Sequence, residues 1–309
     1  MPEDDRVPAE TGAPINKNSL ITILICVAIS MFFMRSGFLS FFFLVPLGYA
    51  VMATGSVFFT FIAASITNII LDIGLNFSGI VNNAVYVLMD IIYFTALFFG
   101  FLWIIGGKNI RTVYRFMIAS IIGTLAFLLI IFRQDSLFFL MFTGIADELF
   151  PGLFTMDILE VIKSILLRGG ALVSVIFMYF INRQLAIYAF RLIKKQRNTQ
   201  NIVSFYAPAN AIWVFSGALA TVILSSVMKI EILEIIAWNV FIICVIVFMT
   251  QGAGILMHFL APQKPALRIG VYILIIVVLF TPVNIVVLAA LLLLGIIENW
   301  RPFRKLPQK

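Results

Sequence analysis

The chain alternates between long apolar runs and short breaks that hold most of its charged, Gly, Pro and Asn residues. The runs fall near 19–34, 38–54, 56–73, 84–105, 114–133, 163–183, 207–227, 235–260, 266–281 and 284–299. Most approach the roughly 20 residues that an α-helix needs to cross the hydrocarbon core of a bilayer. Lipid offers the backbone no hydrogen-bond partners, so each run has to satisfy its own N–H and C=O groups, which a helix does. The pattern predicts an all-α, polytopic transmembrane bundle of about 8–10 helices. Pro46 and Gly48 interrupt the second run, so two of the early runs read as half-helices or as one bent span.

One stretch breaks the pattern. Positions 135–160 are apolar but carry Asp135, Asp147, Glu148, Asp157 and Glu160, and Pro151-Gly152 divides them. This reads as two short amphipathic helices on the outer surface or as a re-entrant cap. Positions 1–18 are polar, acidic and rich in Pro and Gly, with no basic region ahead of the first apolar run. They are expected to form a disordered cytoplasmic tail, with 19–300 the membrane domain and 301–309 a basic cytoplasmic tail.

Composition strengthens this picture. Hydrophobic residues make up 62% of the 309 and charged residues 11%, whereas soluble domains carry about 25% charged residues. The net charge of +7 does not imply nucleic acid, because the basic residues lie in short gaps between apolar runs instead of forming a patch interleaved with aromatics. They report topology. With the N-terminus inside, 16 of the 21 Lys and Arg residues fall on the cytoplasmic side, and an even helix count returns the C-terminus there. Trp103, Trp213, Trp238 and Trp300 lie near predicted helix ends, where an indole prefers the headgroup region. Cys26 and Cys244 sit inside apolar runs, at no metal or disulfide spacing.

Motifs for common chemistry are missing. Gly106-Gly107-Lys108-Asn109 lacks the spacing and final hydroxyl of a phosphate loop, and no zinc-protease or nucleophile-elbow pattern occurs. The expectation is a protein that is not an enzyme and uses no cofactor or metal. His258, near the inner end of its helix, suits a helix-terminal role.

Polar residues placed where lipid penalises them are more informative. Asn68, Asp72 and Asn76 recur every four residues at the outer end of the third run and share one helical face. Asn82 and Asn83 precede the fourth run, and Tyr86, Asp90 and Tyr93 share a face within it. These faces are expected to meet across a Gly74–Gly79 connection as a polar niche open to the outside. The substrate-binding candidates are Asp90, Tyr93, Asp72, Asn76, Tyr86 and Asn68. The same residues would serve equally as polar packing between helices. Arg35, at the outer turn after the first run, reads either as their counter-charge or as an Arg snorkelling to the interface.

Asn239, Gln251 and Gly252 recur along the 235–260 run and are expected to act as interhelical glue. Arg183, Arg191, Lys194, Lys195 and Arg197 form a basic inner connection, suited to the anionic leaflet or to a docking partner.

Phe205-Tyr206-Ala207-Pro208, Trp213, Trp238-Asn239 and the string Gln251-Gly252-Ala253-Gly254 through Phe259 occur in an order that resembles the YybS-like family of predicted bacterial membrane proteins. Phe43-Leu44-Val45-Pro46-Leu47-Gly48 is similar to that family's N-terminal part, and the likeness runs from about Leu20 to Phe303. The family is distantly similar to the S components of energy-coupling-factor transporters and to the cell-shape protein MreD. That resemblance implies a bacterial inner-membrane protein that binds a small solute from outside and works with ATPase and coupling subunits. The alternative it implies is a non-transporting scaffold that recruits envelope-assembly or division proteins. More helices and the acidic 135–160 segment set this chain apart from the usual S component.

Overall fold

The computed structural model describes residues 16–77, 84–105, 112–131, 156–194, 205–264, 284–301, 303 and 304, with the single positions 267, 270, 271 and 281. About 89% of these are helical and none is in a strand, which is the expected all-α architecture. Lys17–Arg35, Val57–Gly74, Val87–Ile105, Val161–Ile193, Ala211–Met228 and Glu231–Leu260 are long and apolar enough to cross a membrane, and Leu39–Thr54, Tyr114–Leu129 and Asn284–Ile297 are shorter apolar helices. Large apolar side chains cover the outer faces; Trp213, Val227, Ile232 and Ile285 are 72–77% exposed. Such a surface is matched to lipid. The chain is a multi-pass membrane protein. The run at 266–281 lies largely outside the described residues.

Two compact units divide the chain, Met1–Asn198 and Thr199–Lys309. The first contains α1 (Lys17–Arg35), a 3₁₀ segment (Gly37–Phe42), α2 (Leu44–Thr54), α3 (Val57–Phe77), α4 (Ala84–Ile105), α5 (Thr112–Ile131), α6 (Met156–Ile165), a π turn (Leu166–Gly170) and α7 (Ala171–Lys194). Buried residues of α1 (Ile23, Cys26, Val27, Ser30, Met31 and Met34) keep the three-and-four spacing of one helical face. That face joins Leu44 and Leu47 of α2, Leu97, Phe98 and Phe101 of α4, and Val175 and Tyr179 of α7 in one core. The Tyr179 phenol lodges between glycines of α4 and α5: a Cβ on Gly100 would come within 2.5 Å of its oxygen and one on Gly123 within 3.1 Å. It donates to the Leu97 carbonyl at 3.2 Å, which satisfies a group that lipid cannot.

The interruption expected around Pro46 has a specific form. Pro46 sits in the first turn of α2, where its missing N–H does no harm to the helix, and the break lies upstream as the 3₁₀ segment. Two buried side chains from neighbouring helices cap carbonyls at that joint. Ser30 donates to the Phe43 carbonyl at 2.6 Å and Asn182 to the Phe41 carbonyl at 2.8 Å. Gly48 is a contact point within α2, since a Cβ there would come within 2.7 Å of Ile105 and 2.8 Å of Ala186.

The start expected at 163 is also revised. Helix α6 begins at Met156, within the acidic stretch, and exposes Ile158, Val161 and Ile165 along one side. Arg168 and Gly169 then leave helical geometry, Gly169 at φ 123°, before α7 begins. Only glycine reaches that backbone angle without strain. Positions 135–155 lie outside the described residues.

The second unit contains α8 (Ala211–Met228), α9 (Glu231–Leu260) and α10 (Asn284–Ile297). Lys229 turns the chain from α8 into α9 in the left-handed conformation, φ 55°. Along α9 and α10 the backbones touch: a Cβ on Gly252 would overlap the Leu291 carbonyl, and one on Gly295 would overlap the Phe248 carbonyl. Glycine at both places permits the approach, and such close packing stands in for the hydrophobic drive that is missing in lipid.

Candidate functional site

The buried stripe of α3 is polar. Thr60, Ser65, Asn68 and Asp72 face inward with Ala64, while Phe58, Phe59, Ile66 and Ile70 face outward. A helix puts its apolar side toward lipid, so the polar positions are the ones turned into the bundle. Asp72 is 4% exposed, and its carboxylate pairs with the Arg35 guanidinium from the last turn of α1. Asn68, one turn before Asp72, donates through Nδ2 to the other carboxylate oxygen at 3.0 Å. Of the two roles open to Arg35, the structure selects counter-charge. Its side chain stays 37% exposed while its tip reaches the buried acid.

Asp90 comes from the second turn of α4 and is half-buried. Its spacing of three, seven and eleven residues to Tyr93, Leu97 and Phe101 places it on the inward face, since Leu97 and Phe101 are 0% exposed. Asp90 lies within electrostatic reach of both Asp72 and Arg35, and Tyr93 within reach of Asp90. Tyr93 packs on Phe127 of α5 with ring centroids 5.7 Å apart. Four of the six predicted residues, Asn68, Asp72, Asp90 and Tyr93, are thus gathered where the ends of α1, α3 and α4 converge. The side chains of Asn76 and Tyr86 lie outside the described residues, as do Asn82 and Asn83.

Two features differ from the expected niche. Helix α3 continues through Gly74 to Phe77, so the connection to α4 begins later than Gly74. The cavity between α3 and α4, about 380 Å³ and widely open to the surface, is apolar and lined by Phe61, Ile91, Ile92, Thr95, Ala96 and Phe99. None of the predicted residues lines it. The α4 residues of that lining occupy the side of the helix away from Asp90.

A second polar constellation, in the other unit, was missed by sequence reasoning. Glu298, just past α10, and Arg304 form an ion pair whose side chains are both 0% exposed. Arg304 donates from Nε to Glu298 at 2.8 Å, from Nη2 to Glu298 at 2.5 Å, and from Nη2 to the Phe205 carbonyl at 2.9 Å. The guanidinium lies 4.3 Å from the centre of the Tyr206 ring, a cation–π distance. The Tyr206 hydroxyl donates to the Arg304 carbonyl at 2.9 Å. Desolvation and the Glu298 carboxylate hold that phenol above its ordinary pKa, so it remains a donor. Nearby, the Ala207 N–H, in the segment before α8, donates to Gln251 Oε1 of α9 at 2.7 Å, a bond from helix to loop and not between two helices, while Gln251 Nε2 has no acceptor among the described residues. Asn239 donates at 2.8 Å to Ile235, one turn back on its own helix.

Counting Arg304 with the cytoplasmic basic residues concealed this clamp. The available signal was Glu298, an acid closing the last apolar run, with an Arg six residues on. No family model, no curated protein and no solved structure matches the chain.

Proposed function

We propose that this multi-pass protein is a non-enzymatic, solute-binding component of the bacterial inner membrane, with its site where α1, α3 and α4 converge. The observation that carries this reading is a buried Asp72 held by Arg35 and Asn68, with a second inward carboxylate, Asp90, in reach. Ionisable groups inside a membrane protein are costly and concentrate where a ligand or ion is handled. Asp90 and Tyr93 orient the ligand in this reading, and Asp72 is held ready by its partners. The resemblance to S components supports reliance on separate ATPase and coupling subunits.

The test is purification of the tagged chain in mild detergent, with copurifying small molecules and proteins identified by mass spectrometry. A bound solute that is lost in Asp90→Ala, together with ATPase subunits, is the expected result. Recovery of envelope-assembly proteins with no solute would replace the proposal with the scaffold. One observation favours that second reading: the α3–α4 cavity has an apolar lining containing Ala96, which suits a partner helix better than a polar solute.

A further inference from the structure

The charges of the convergence do not balance. Arg35 and Asp72 neutralise each other, and Asn68 Nδ2 satisfies the second oxygen of Asp72. Two acceptors are left over. One is the Asp90 carboxylate, for which no ion pair is found among the described residues. The other is Asn68 Oδ1, on a side chain that is 0% exposed, with no hydrogen-bond donor among the described residues. The amide of Asn68 is fixed at the cluster by its bond to Asp72, so the unpartnered oxygen is held there too. A buried acceptor without a donor and an inward carboxylate without an ion-pair contact among the described residues are both costly alone. A single positive charge relieves both.

We propose that the cluster binds a positively charged ligand through Asp90 and Asn68 Oδ1, either a monovalent metal ion or the ammonium group of a small organic solute. With both carboxylates ionised, Arg35, Asp72 and Asp90 sum to a net charge of minus one, which matches one positive charge and not two. The Arg35–Asp72 pair sets that charge by removing one carboxylate from play. Tyr93 supplies an aromatic wall on the Asp90 side. The inference rests on the solute-binding reading and adds the ligand's charge class to it.

Thermal unfolding of the purified full-length chain in mild detergent tests it, with tryptophan fluorescence as the readout. Sodium, potassium, lithium and methylammonium are each exchanged against tetraethylammonium, which is bulky and has no N–H to donate to Asn68 Oδ1, at about 0.15 M total chloride. One of them is expected to raise the unfolding midpoint saturably by about 3 °C or more. Asp90→Asn abolishes the rise, and Asp90→Glu keeps it at altered affinity, which covers the case of an Asn variant that does not fold. A response to a metal ion identifies an ion site, and a response to methylammonium alone identifies a solute's ammonium.

Midpoints indifferent to every cation overturn the proposal, as does a rise that persists in Asp90→Asn. Arg133 follows α5 by two residues in the sequence and is outside the described residues. If Arg133→Gln created a cation response absent from the parent, Arg133 would be the counter-charge of Asp90 and the proposal would fall. Copurification of a neutral or anionic solute, lost on Arg35→Gln while cations do nothing, would leave the solute-binding reading intact and remove only this inference.

Discussion

The two polar clusters use the same kind of residues to opposite ends. At the tail of the second unit, Glu298 engages both Nε and Nη2 of Arg304, which also reaches a backbone carbonyl and an aromatic face, and neither side chain touches solvent. At the convergence of α1, α3 and α4, the Arg is partly exposed and one acid has no ion-pair partner among the described residues. A closed, saturated pair fixes structure. An open cluster with a surplus carboxylate is what the proposed binding role requires of a site and a staple does not need.

The sharpest way to break the contrast is to remove one member of each pair. Arg304→Ala leaves Glu298 charged and buried, and is expected to cost about 3–5 kcal/mol. Survival of folded protein after heating, followed by fluorescence-detected size exclusion, would show the loss. Replacing both partners, Glu298→Leu with Arg304→Met, is expected to recover most of it, because paired apolar groups need no desolvation. Arg35→Ala is expected to cost less than Arg304→Ala, since the Arg35 side chain as a whole is 37% exposed and solvent can enter where it stood, even though the Asp72 it leaves behind is buried. In the proposed site its main effect is expected on ligand retention. Equal destabilisation by the two Arg variants would abolish the distinction between clamp and site.

A backbone contact gives a second measure of how rigid each unit is. Gly252→Ala drives a methyl into the Leu291 carbonyl, which cannot move without displacing α10, and is expected to cost about 1–3 kcal/mol. Gly100→Ala in the first unit meets the Tyr179 hydroxyl instead, a side-chain atom at 2.5 Å. It is expected to cost less, with the loss of the Tyr179–Leu97 hydrogen bond as its main component. Thermal midpoints of the two variants measured in one detergent decide the order.

The fold class was legible in the sequence because lipid demands long apolar runs with no ambiguity of period. The polar face of α3 was legible as well, since Asn68 and Asp72 at spacing four can only share a side. Other features depended on contacts between distant segments. Gly74 reads as a breaker in sequence, yet it sits inside α3, exposed, with nothing within 4 Å of the place its Cβ would take. Nothing local to Pro46 says that Ser30 and Asn182, 16 and 136 residues away, would cap the carbonyls beside it. Arg304 looked like one more topogenic cation because its partners, Phe205 and Tyr206, lie about a hundred residues earlier.

The finest test compares two tyrosines. Tyr206→Phe deletes one hydrogen bond, to the Arg304 carbonyl at 2.9 Å, and keeps the ring beneath the guanidinium. A net loss of about 0.5–1.5 kcal/mol is expected, seen as a small fall in the thermal midpoint with the same ligand binding as the parent. Tyr93→Phe keeps the packing against Phe127 and removes a hydroxyl within electrostatic reach of Asp90, so its midpoint without ligand should barely move while ligand affinity falls. If Tyr93→Phe shifted stability and left binding untouched, the convergence would be a packing interface like the clamp, and the asymmetry between the two units would vanish.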